Sequence, residues 1–121
     1  MTKTLEEISL MREAGKRLAH ILNDVAARVL PGVSTRELDA LAERLIRAEG
    51  DRPAFLGYTP AGAHRPYPAT LCVSVNDEVV HGIPNEREKV LREGDIVGLD
   101  LGLEHRGFFA DMAVTVGVGE I

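Results

Sequence analysis

Two aspartates stand where a β-hairpin can bring them together. Asp100 lies in Ile96-Val97-Gly98-Leu99-Asp100-Leu101-Gly102-Leu103, whose alternation puts Val97, Leu99, Leu101 and Leu103 on one face. Asp111 lies in the returning run Phe108 to Val116, beyond Glu104-His105-Arg106-Gly107. A symmetric closure over those four residues predicts Asp100 directly opposite Asp111. Opposed residues on one face have Cβ atoms about 4.5–5.5 Å apart, and like charges there repel. Two carboxylates held so close invite a cation between them. Gly98 and Gly102 flank Asp100 on its own face and are expected to leave space around it, as strand glycines do where a ligand approaches. Two ordinary surface acids would give the same spacing. That face, however, otherwise carries Ile96, Gly98, Gly102, Phe109, Ala113 and Thr115, too apolar for a plain solvent face.

His81, after Val79-Val80, is the next candidate. A neutral imidazole can bind a metal, take up a proton or hydrogen-bond a substrate, and it titrates near neutrality. A histidine in such a place also serves as a satisfied strand-end residue. Cys72 reads as a small buried hydrophobe, since nothing beside it in sequence would activate a thiol. His20, His64 and His105 fall on a helix, in an irregular loop and in a hairpin turn, where structural or solvated roles are expected. Carboxylates with a histidine suit a hydrolytic metal site, in which the ion acidifies bound water and polarises a carbonyl. Two aspartates alone cannot satisfy two divalent ions, so the set is incomplete.

The elements that must position these residues are legible in outline. Thr4-Leu5-Glu6-Glu7 and Ser34-Thr35-Arg36-Glu37 are capping boxes. The first opens an amphipathic helix whose apolar stripe, Leu5 to Val29, runs to just before Pro31-Gly32. The second opens a helix bearing Leu38, Leu41 and Leu45, with Gly50 as its stop. From Asp51 to Pro68, prolines and glycines predict a long irregular segment, and its aromatics Phe55, Tyr58 and Tyr67 mark it as functional. Leu71 to Val75 and Glu78 to His81 read as a hairpin about Asn76-Asp77, with Cys72 facing His81. Asn85 to Gly94 is a charged connection. Helices followed by strands make an α+β fold, two helices covering one face of an antiparallel sheet.

The 121 residues suit one domain, and 45% hydrophobic with 27% charged residues is ordinary for a globular protein. A net charge of −5 argues against sequence-independent nucleic-acid binding. No apolar run reaches membrane-spanning length, the first residues lack a secretory signal, and a lone Cys72 fits a reducing cytoplasm.

Pro31-Gly32-Val33-Ser34-Thr35, Leu56-Gly57-Tyr58, Tyr67-Pro68 and Cys72-Val73-Ser74-Val75-Asn76 recur in a specific order and spacing. With them stand Val79-Val80-His81-Gly82-Ile83-Pro84, Gly94-Asp95-Ile96-Val97-Gly98-Leu99-Asp100, and Asp111 eleven residues on. In these motifs the chain closely resembles the N-terminal half of the bacterial-type methionine aminopeptidases, members of the pita-bread metallohydrolases. The resemblance runs from Leu5 to about Gly119 and makes residues 1–121 the N-terminal half of a pita-bread domain. It implies two divalent ions, cobalt, manganese, iron or zinc, with Asp100 and Asp111 as the first two ligands, one chelating and one bridging. It implies that His81 hydrogen-bonds the substrate near the scissile amide, and that Tyr58, Tyr67 and Cys72 line the pocket for the methionine side chain. The implied reaction frees the N-terminal methionine of nascent proteins in the cytoplasm.

Two departures stand out. Residues 59–66 lengthen the loop between the two tyrosines relative to the commonest bacterial pattern. In the family the C-terminal half adds a histidine in a Gly-His-Gly motif and two glutamates, and none of the four histidines here sits in such a motif. The ligand set of this chain is therefore incomplete, and alone it is expected to be inactive. Two alternatives share the same residues. The half could assemble with itself or with a separate C-terminal chain, or it could be a non-catalytic pita-bread binding module.

Overall fold

The computed structural model describes residues 4–57, 69–76 and 89–119. Helix α1 spans Leu5–Ala26 and α2 spans Thr35–Ala48. Both begin at the expected caps. Thr4 accepts from the N–H of Glu7 while Glu7 takes the N–H of Thr4, and Ser34 and Glu37 repeat the exchange. The first helix stops at Ala26, short of Pro31. Arg28 and Val29 instead close tight turns onto the carbonyls of Val25 and Ala26, which keeps Val29 on the buried side of the chain.

Four strands form one antiparallel sheet: β1 (Arg52–Pro53), β2 (Leu71–Val75), β3 (Ile96–His105) and β4 (Phe108–Gly117). The ten-residue β3 is its centre. It pairs along one side with β4 and along the other with β2 and then β1. Val97, Leu99, Leu101 and Leu103 turn to the helices as the alternation predicts, beside Leu71, Val73 and Val75 of β2. They meet Leu18, Ile21, Leu22 and Val25 of α1 and Leu38, Ala42 and Ile46 of α2. Each such large side chain removed from water contributes about 1.5–3 kcal/mol. The helices therefore cover one face of the sheet and leave the other for chemistry.

The hairpin register differs from the symmetric closure. His105 belongs to β3, and only Arg106 and Gly107 turn the chain, both with positive φ (50° and 85°). Those are the signs of a type I′ turn, whose twist matches the flanking strands better than a longer loop would. Asp100 consequently pairs with Ala113, and Gly102 with Asp111. The expectation that the two aspartates lie directly opposite is corrected to a diagonal. The shift is an even number of residues, so both remain on the same face.

The start of the stretch after Gly50 is paired with the sheet. Arg52 and Pro53 pair with Glu104 and Leu103, and Ala54 N–H extends this ladder to the carbonyl of Gly102 at 3.0 Å. Pro53 is tolerated because β1 is a short edge strand. Tyr58, Tyr67, His64 and His81, the second strand of the expected Cys72–His81 hairpin, and residues 85–88 of the charged connection lie outside the described residues.

Candidate metal centre

The sheet face away from the helices is built in cross-strand rows. Cys72, Asp100 and Ala113 form one row. Ala54, Gly102 and Asp111 form the next, and Arg52, Glu104 and Phe109 the one beyond. Asp100 and Asp111 are thus diagonal neighbours, with Cα atoms about 7–8 Å apart by strand geometry and Cβ atoms somewhat closer. That spacing relieves the repulsion of direct opposition and lets both side chains close on a shared cation.

Asp100 is half-buried with its Oδ1 withdrawn from solvent, whereas Asp111 is exposed at the sheet edge. A carboxylate oxygen placed in so dry a position suits an ion, because burying a charge is costly unless it is compensated. Hard oxygen donors of opposite exposure, one anchoring and one reaching, fit a divalent cation in chemistry and placement. Among the described residues no third histidine, cysteine, aspartate or glutamate joins them as a ligand.

Cys72 is buried and is the direct cross-strand neighbour of Asp100. Its register places it beside the carboxylate on the same face of the sheet. Gly98 has the room expected of it, since a Cβ there would meet nothing closer than 3.8 Å. Gly102 does not. Its Cβ position is filled by Phe55 and Ala54, so the space beside Asp100 on that side is already occupied. Phe55 is the neighbour that sequence spacing missed. The glycine within β3 was the available signal, but β1 had to be seen before its meaning was clear.

Two further ionic groups hold the scaffold. Asp39 of α2 accepts the N–H groups of Thr70 (2.8 Å) and Leu71 (2.9 Å) through one oxygen, fixing the start of β2. Burial pushes the Asp39 carboxyl up, and the two backbone hydrogen bonds from Leu71 and Thr70 oppose this. His105, expected in a turn, is instead buried at the end of β3. Its Nδ1 shares a 2.7 Å hydrogen bond with Oδ1 of the buried Asp51, whose other oxygen lies 3.5 Å from Arg17 of α1. This joint anchors the start of β1 against the end of β3.

The model of metallopeptidase family M24 matches residues 9–121. The chain is 46% identical over 114 residues to a methionine aminopeptidase of Aquifex aeolicus, covering 94% of this chain and 44% of that protein. It is 43% identical over 119 residues to methionine aminopeptidase 1 of Bacillus subtilis, covering 98% and 45%. Among solved structures, a methionine aminopeptidase from Thermotoga maritima superposes with a TM-score of 0.85 at 41% identity, over 99% of this chain and 45% of that one. A Xaa-Pro dipeptidase from Bacillus anthracis gives a TM-score of 0.76 at 27% identity, over 98% and 30%. The chain thus spans less than half the length of the curated relatives it matches. Two helices on an antiparallel sheet are here half of the pita-bread fold shared by these structural neighbours. By the match along nearly its whole length, the chain belongs to metallopeptidase family M24.

Proposed function

We propose that this chain carries the N-terminal half of a methionine aminopeptidase centre, in which Asp100 and Asp111 hold divalent ions. The observation that carries this reading is their diagonal placement on the sheet face left bare by the helices, one carboxylate half-buried with a dry oxygen and one exposed. Divalent ions held there would acidify a bound water and polarise a peptide carbonyl. The chain's own residues would do the rest of the positioning. Cys72 forms part of the apolar floor beside Asp100, and Tyr58 and Tyr67 complete the methionine pocket. His81 hydrogen-bonds the substrate amide near the scissile bond. The substrate is an N-terminal methionine, as the relatives' names as methionine aminopeptidases support, and the proposed setting is nascent polypeptides in the cytoplasm. The two aspartates do not complete a ligand set, so the isolated chain is expected to bind Mn²⁺ weakly and to release no methionine from a Met-Ala-Ser peptide. Mn²⁺ binding left unaltered by Asp100→Asn would overturn the assignment, and turnover by the unaltered chain would overturn its dependence on a second half.

One observation favours an assembled form. Among the described residues β4 pairs with β3 alone, and it carries Phe109 at 68% exposure with Met112 and Val114 partly exposed. A long apolar edge of this kind pairs readily with another chain. A complementary half or a second copy would cover it.

A further inference from the structure

We propose that Phe55, seated over Gly102, is the water-excluding wall of the Asp100–Asp111 cation site, and that position 102 is glycine to admit it. This deepens the reading above and rests on it. Gly102 is the corner that both carboxylates share. Asp100 precedes it by two residues on the same face, and Asp111 is its partner across the hairpin. On the third side stands the segment after β1. A Cβ at position 102 would lie 3.0 Å from Cε1 of Phe55, 3.1 Å from Cβ of Ala54 and 3.2 Å from the carbonyl oxygen of Ala110. These approaches are closer than ordinary van der Waals contact, so the ring occupies the place a side chain would take. The other glycine of this face makes the contrast: Gly98 would accommodate a Cβ without displacing anything.

The ring is held there by the backbone. The Ala54 N–H bonds the carbonyl of Gly102, Arg52 and Pro53 pair with β3, and the Asp51–His105 hydrogen bond fixes the start of that segment. A cation between the two carboxylates would therefore meet hydrocarbon on the Gly102 side and solvent on the β4 side. An apolar wall lowers the local dielectric and strengthens attraction between carboxylate and cation, and it limits the water an ion keeps. Phe55 acts by shaping what surrounds the two carboxylates.

The test is Mn²⁺ binding to the whole chain, followed by electron paramagnetic resonance and by water-proton relaxation, with thermal midpoints taken in parallel. Phe55→Ala is expected to weaken Mn²⁺ about tenfold and to raise the relaxation per bound ion as water enters, whereas Phe55→Leu stays within about threefold of the parent. Gly102→Ala, which must push the ring aside by a few tenths of an ångström, is expected to fall between them. Nuclear Overhauser contacts between the Phe55 ring and the Gly102 α-protons, expected in the parent, report the seating without metal. Their absence overturns the proposal. So does a Phe55→Ala or Gly102→Ala protein that melts lower yet binds Mn²⁺ with parental affinity and relaxation. If instead Asp100→Asn and Asp111→Asn leave Mn²⁺ binding unaltered, the cation site itself is wrong, and the wall falls with it.

Discussion

At the residue scale, the two perturbed aspartates pull stability in opposite directions with pH. Burial raises the Asp39 carboxyl despite its backbone hydrogen bonds, so the folded chain holds that proton more tightly than the unfolded one. Its contribution is complete below the usual carboxylate range and is lost as pH rises through the raised native value. Asp95 shifts downward because the Arg92 N–H, and then the Asn76 amide, favour its carboxylate. Its contribution is present above the usual range and is lost as pH falls through the lowered value. Asp39→Asn, which keeps an acceptor for Thr70 and Leu71, should flatten the decline on the neutral side. Asp39→Ala orphans both N–H groups and should cost about 2–4 kcal/mol. Urea midpoints across about pH 2–7, bracketing the carboxylate range, read both effects. Neither role was legible in the sequence. A helical aspartate and a turn aspartate look alike until the strands they serve are in place.

At the scale of elements, the hairpin turn decides the geometry of the metal face. Arg106 sits at φ 50°, in the left-handed region that a side chain with a Cβ adopts at a cost. Arg106→Asn should therefore stabilise the protein by about 0.5–1 kcal/mol, and Gly107→Ala should destabilise it by about 1–2 kcal/mol, in chemical denaturation. The alternation that puts Val97, Leu99, Leu101 and Leu103 inward was legible, and so were both helices with their capping boxes. The pairing register was not. Glu104 to Gly107 permits closure over four residues or over two, and alternation is indifferent to even shifts. The same-face placement of Asp100 and Asp111 survived that ambiguity, while their separation did not. Strand β1 was hidden because two residues carry no period and one of them is proline. Its backbone bonds, and the seat of Phe55, depend on β3 being its neighbour.

For the whole molecule, the helices bury one side of the sheet and leave β4 as a ten-residue edge with Phe109 turned outward beside Asp111. Sedimentation velocity should show the chain self-associating as concentration rises, and Phe109→Lys should return it to monomer. A parent that stays monomeric at high concentration would argue against pairing with a second copy. The joint of Arg17, Asp51 and His105 has a different consequence, in time rather than in space. Its contacts span 34 and 54 residues of chain, so closing it demands more lost loop entropy than a hairpin or a helical turn does. We expect such a contact to form after the folding barrier has been crossed. His105→Ala should then leave the refolding rate nearly untouched and accelerate unfolding by most of the stability it removes, which stopped-flow chevrons would resolve. The face that would hold the ions is thus latched late, and how long it endures is set by how slowly that latch comes undone.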